Sequence, residues 1–191
     1  MTGLKERRGG KVAVEVDGAF WRTLPLDAAV RAELRVGVEL DRVRLRSVRR
    51  ELRRTEALSW AVRALRRRDL SRHTLEERLR NAGMTAEERR AALATLERAG
   101  LVDDGRFASA RAAGLAERGY GDEAIRWTLE REGIDAELAR RSIASLAPEL
   151  DRAAAVVDQR GRGPATAAYL ARRGFAEDAV TDVLGVATPD G

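Results

Sequence analysis

Few kinds of side chain in this 191-residue chain can do chemistry. Cysteine is absent and His73 is the one histidine, so disulfides, thiolate metal sites, a thiol nucleophile and paired-histidine acid–base sets lack their residues. What the chain has in quantity is arginine. Of 36 basic residues only Lys5 and Lys11 are lysine, against 31 acidic residues. A guanidinium is a planar fork that grips carboxylate or phosphate through two parallel hydrogen bonds, so the chemistry on offer is polyanion binding rather than bond making. Residues 1–80 carry 21 basic and 12 acidic side chains, and from Arg42 to Arg72 there are twelve arginines against Glu51, Glu56 and Asp69. Within that run Arg63, Arg66 and Arg67 fall in about one helical turn, and Arg68 and Arg72 continue past the helix end. Arg49, Arg50, Arg53 and Arg54 form a second patch. These nine arginines are the expected binding residues. A basic helix that is merely solvated is the plainer alternative.

Other candidates carry less. Asp103 and Asp104 stand side by side before a helix, where carboxylates accept from free N–H groups and oppose the positive dipole end. As metal ligands they would need further converging oxygens, and none has helpful spacing. His73 sits near a helix start without a partner at ligand spacing, which fits a surface or capping role. Trp21, Trp60, Trp127 and Tyr120 could stack on bases, but core or groove-edge packing is the reading favoured by Ile125 and Leu129 flanking Trp127. Gly161-Arg162-Gly163 lacks the strand, lysine and hydroxyl of a phosphate loop. No catalytic residue, metal or cofactor is expected.

The elements that must position these residues are mostly helical. The chain is rich in Ala, Arg, Leu and Glu and only 4% aromatic. Residues 1–10 read as a flexible tail. Over 11–41 Val12, Val14 and Val16 alternate with Ala13 and Glu15, and Asp17-Gly18 supplies a type I′ turn that sets Val16 opposite Ala19, Val14 opposite Trp21 and Val12 opposite Thr23. A short helix capped by Asp27 and running through Leu34 completes this β-hairpin module. Asp41 caps a basic linker helix over 42–56, which either runs on through Leu58, Val62 and Leu65 or breaks near Thr55. No stretch approaches the roughly 18–20 apolar residues of a membrane span. The start lacks the apolar core of a signal peptide, so a cytoplasmic location is expected.

Downstream the chain repeats itself. At an offset of fifty, Leu75 falls on Ile125, Leu79 on Leu129, Gly83 on Gly133 and Met84 on Ile134; forty-one further on, Leu170, Gly174 and Phe175 continue the series. Each helix ends at a glycine able to turn left-handed, followed by an apolar residue that folds back. Thr85 with Glu88 fits a capping box, Asp135 fits a cap, and Gly163-Pro164 suits a helix start. The expected architecture is mainly α: an elongated tandem array of three-helix units over 57–102, 103–148 and 149–187, with a tail at 188–191.

The string from Ala57 to Leu146 resembles the RecX family. The resemblance is carried by Ala57-Leu58, Ala61 and Leu65, by Arg68 and Ser71, by Gly83, Leu96 and Leu101-Val102-Asp103-Asp104-Gly105-Arg106-Phe107-Ala108, then by Gly119, Ile125, Leu129, Gly133 and Ile134. It covers about three quarters of the chain by the ordered series rather than by one motif. The third unit departs at Gly161-Arg162-Gly163-Pro164, and the front module is the other loose end. What the resemblance implies is a small helical modulator of the RecA recombinase. Such a protein binds the RecA nucleoprotein filament and usually suppresses its ATPase, strand-exchange and coprotease activities. Expected with it are a non-enzymatic monomer and weak binding of single- and double-stranded DNA without sequence preference. Three-helix units with a basic helix also describe helix-turn-helix transcription factors, and a scaffold binding only protein is a third class.

Overall fold

The computed structural model describes residues 1–185. It is mainly helical, with one antiparallel sheet at the front in the order β1 (Gly3–Arg7), β2 (Lys11–Val16), β3 (Ala19–Pro25). The expected tail is therefore a strand. Gly3 to Arg7 pair with Glu15 to Lys11, and Leu4 packs against the core of Val12, Val14 and Leu24. A polar GLKER segment carries no alternation signal, yet it covers the open edge of β2.

The hairpin register also differs from strict alternation. Val16 faces Ala19 and Glu15 faces Phe20, but beyond an irregularity at Val14/Glu15 the partners are Val14 with Arg22, Ala13 with Thr23 and Val12 with Leu24. The extra residue is Trp21. Without that bulge Trp21 and Leu24 would face opposite sides; with it both reach the same core. The following helix α1 spans Leu26–Arg31 and starts at Pro25, not at Asp27, whose carboxylate instead meets Arg31 at 3.3 Å. Its last residue stops short of Leu34, which is buried beyond it.

Asp41 caps α2 through the Arg44 amide, and α2 runs unbroken over Arg42–Leu65. The linker helix and the first helix of the first repeat are one element. Its buried face is Val48, Glu51, Ala57 and Ala61, while Leu58, Val62 and Leu65 are only half-buried. Small alanines let α4 approach closely, so the inward face lies one residue before the expected leucine stripe. Helices α3 (Arg72–Asn81) and α4 (Ala86–Arg98) follow, the latter with a complete Thr85/Glu88 capping box.

The second repeat comprises α5 (Asp104–Ala116), α6 (Asp122–Arg131) and α7 (Ala136–Ala144), capped at Asp135. The third comprises α8 (Glu149–Arg160), α9 (Pro164–Arg172) and α10 (Glu177–Leu184), with Gly163 before Pro164 at the start of α9. The described residues end within the expected third unit, so 186–187 and the expected tail at 188–191 lie outside them. Ile125, Leu129, Ile134 and Ile143 make the second core, and Val157, Leu170, Phe175 and Val183 the third. In all three repeats the residue after the glycine donates back to the helix it leaves: Met84 to Leu79, Ile134 to Leu129 and Phe175 to Leu170, at 3.2, 3.0 and 3.2 Å. Gly83, Gly133 and Gly174 hold φ of +82°, +77° and +75°, the conformation this bond pattern needs.

The chain divides into two compact units, 1–68 with 75–101, and 69–74 with Val102 onward. Residues 69–74 join the second because a recurring joint holds them there. The Arg72 amide donates to Asp104 Oδ1 at 2.7 Å, and Ser71 Oγ donates to the Glu132 carbonyl. Its counterpart between the second and third repeats uses the equivalent positions, with a glycine amide in place of the serine hydroxyl. The Asp122 amide donates to Glu149 Oε1 at 2.6 Å, and the Gly121 amide donates to the Arg173 carbonyl at 2.9 Å. In both joints the carboxylate is the first residue of the next repeat's leading helix and the donor is the first residue of the previous repeat's middle helix. A Cβ on Gly121 would overlap the Gly174 carbonyl, and one on Gly133 would overlap His73. The two aspartates thus divide their work: Asp103 caps α5 by accepting from the Arg106 amide at 3.0 Å, and Asp104 caps α3.

Candidate functional site

The site begins with the periodicity of α2. Twenty-four residues at 1.5 Å each make a rod of about 36 Å. Along it Arg42, Arg46, Arg49, Arg53, Trp60, Arg63 and, just past the helix end, Arg67 recur three, four or seven positions apart, so they share one face. Glu56 interrupts this stripe. The face flanks the row of buried alanines, and every arginine in it is exposed.

The structure brings Arg63 and Arg67 together with Trp60, Ala64 and Arg78 around a shallow groove of about 200 Å³. Trp60 is half-buried at its edge, as expected of groove-edge packing. Arg78 enters from α3, and sequence reasoning missed it, since only the packing of one helix on another puts it there. Neither Arg63, Arg66, Arg67 nor Arg68 has a carboxylate within 4.0 Å among the described residues. Arg66 caps the end of α2 and Arg68 is exposed after it, but neither lines the groove. Arg72 belongs to the second compact unit, where its amide is the one Asp104 holds.

The second expected patch is different in kind. Arg50 and Arg54 both lie on Glu51, at 3.5 and 3.1 Å, and Arg53 lies on Glu88 at 2.7 Å. Glu51 is only 3% exposed, so a buried carboxylate holds these cations in place. Of this patch Arg49 alone has no carboxylate partner among the described residues. It lines a second shallow depression with Arg42, Leu45 and Arg46. Arg42 and Arg46 were outside the expected set, although their spacing to Arg49 was legible.

The motif residues are structural. Asp103, Asp104, Gly133 and Gly174 build the caps and joints described above, Gly83 ends α3, Arg106 supplies its amide to Asp103, and Phe107 packs on the second core. The Arg106 amide holds the Asp103 carboxyl below the ordinary aspartate range. Trp127 departs from its expected packing: Ile125 and Leu129 are fully buried on one face of α6, which turns Trp127 outward at 60% exposure, under the Arg131 guanidinium. Among the described residues no group of three or more His, Asp or Glu could hold a metal ion, and no helix is long and apolar enough to cross a membrane.

A sequence profile described as RecX, second three-helix domain, matches residues 103–143. The regulatory protein RecX of Chromohalobacter salexigens is 36% identical over 124 residues, 60% of this chain and 82% of that protein. That of Acidithiobacillus ferrooxidans is 31% identical over 69% of this chain and 91% of its own length. A crystal structure of regulatory protein RecX superposes with a TM-score of 0.82 at 17% identity, covering 96% of this chain and 97% of that one. RecX from Lactobacillus salivarius gives 0.62 at 14% identity over 70% and 95%. With relatives this similar over most of their length, this chain belongs to the RecX family of regulatory proteins.

Proposed function

We propose that this chain regulates the RecA recombinase, binding along the groove of the RecA–DNA filament and suppressing ATP hydrolysis, strand exchange and coprotease activity. It acts as a monomer in the cytoplasm, by occupancy rather than by catalysis, and needs no cofactor. DNA itself is held weakly and without sequence preference. Family membership supports RecA as the target. The observation that carries the binding reading is the row of arginines on one face of α2, ending in a groove where Arg63, Arg67 and Arg78 surround Trp60. Exposed guanidiniums without carboxylates are donors waiting for phosphate or acidic side chains.

The test is a RecA ATPase and strand-exchange assay on single-stranded DNA with and without the protein. Suppression at protein concentrations below those of RecA is expected, with Arg63→Ser/Arg67→Ser needing about tenfold more protein for the same effect. Activities unchanged at saturating protein would overturn the reading. Strong selection of one duplex sequence over bulk DNA would instead favour a transcription factor.

A further inference from the structure

The third repeat carries a feature that neither the α2 groove nor the joints use. Arg160 lies 4.0 Å over the ring of Tyr169, Arg173 lies 5.2 Å from the same ring, and Arg173 also sits 4.5 Å over Tyr120. The four side chains alternate, cation and ring, from the end of α8 across α9 to the turn before α6. Half-buried arginines elsewhere in this compact unit have carboxylates: Arg111 makes a two-pronged pair with Glu132, and Arg152 pairs with Asp122. Arg173 is equally half-buried, yet neither it nor Arg160 has a carboxylate within 4.0 Å among the described residues. One N–H of Arg173 reaches the Arg118 carbonyl at 3.2 Å, and the other N–H groups of both guanidiniums find no acceptor among the described residues. Glu149, the nearby acid at the joint, is committed to the amides of Asp122 and Ala176.

We propose that this stack is a second anion site, taking the phosphodiester backbone of a single-stranded nucleic acid. Stacking on tyrosine fixes each guanidinium plane while leaving its N–H edge for a phosphate. Arg160 is exposed and ends the stack, so its outer face is a platform on which a base can lie. An acidic peptide would use the edges but not the platform, which is why a base-bearing ligand is favoured. The site stands in a half of the chain whose net charge is negative, and it does not depend on the RecA reading.

The experiment is fluorescence anisotropy of the full-length chain with a labelled thymidine oligonucleotide across a salt series, beside an abasic oligomer of equal length and a poly-glutamate competitor. Arg160→Gln alone touches one ring, so folding is retained. It is expected to weaken thymidine binding about three- to tenfold, to make the salt slope shallower by about 0.7, and to erase the preference for thymidine over the abasic oligomer. Arg160→Gln/Arg173→Gln should deepen the loss, with thermal melts showing whether the third repeat stays folded; Arg173→Lys should keep the salt slope. Binding and slope unchanged in Arg160→Gln would overturn the proposal, and so would poly-glutamate displacing the oligonucleotide at equal charge concentration. If Arg63→Ser/Arg67→Ser loses binding while Arg160→Gln does not, the α2 groove survives and this site falls.

Discussion

Replacing Asp104 by alanine leaves the first amide of α3 without its acceptor while α5 keeps its own cap. A loss of about 1 kcal/mol in denaturant unfolding is expected, with Asp104→Asn restoring much of it because an amide oxygen still accepts. Asp103 answers to pH instead. Its carboxyl is held down by the Arg106 amide, so the stabilisation it gives is present above the ordinary aspartate pKa of about 3.9 and is lost as pH falls through the lower native value. Melting temperatures followed down an acid series should fall less steeply in Asp103→Asn than in the parent. The sequence named both residues as caps because carboxylates before an apolar helical run satisfy free amides. Which helix each one serves was not legible, since the Arg72 amide is 32 residues away in the chain and only the folded joint brings it to Asp104. The same holds for Trp127: its neighbours' spacing was read correctly, but on a helix with two buried positions four apart the residue midway between them turns outward.

At the scale of elements, α2 carries two kinds of arginine that composition cannot tell apart. Arg63→Ser/Arg67→Ser removes cations that hold no carboxylate, so binding to polyanions should weaken and its salt dependence flatten while the melting temperature stays within about 1 °C. Arg50→Ser/Arg54→Ser removes the partners of Glu51, one of whose oxygens is already buried without a hydrogen bond. The expected result is the reverse: a stability loss of about 2 kcal/mol in urea melts, with much of the polyanion affinity retained. The twelve arginines were visible as a run, and their helical spacing was visible too. The partners that come from other helices were not, because Glu88 reaches Arg53 from α4 and Arg78 reaches the groove from α3. The hairpin shows the same boundary of legibility. Valines in alternation predict a strand, whereas the bulge at Trp21 answers to a core that the strand alone does not contain.

At the scale of the molecule, the three-helix repeat was the most readable feature, because glycine, apolar residue and cap recur at fixed offsets. The front sheet was half readable: β2 and β3 declare themselves, but β1 is recruited by an open edge rather than by its own pattern. How repeats are fastened was not readable at all, because each joint pairs residues of separate helices. Gly121→Val places a side chain against the Gly174 carbonyl, so amides of α8 to α10 should exchange with deuterium faster, with α5 and α7 changing less; uniform protection in the variant would refute the joint's role. The fastening also has a direction. Arg72 and Asp122 each open a middle helix with an N–H that a carboxylate of the following repeat must accept, but the corresponding residue of α9 is Pro164, which has no hydrogen to offer. The third repeat therefore copies the helices of the first two without copying the demand for a carboxylate that fastens them.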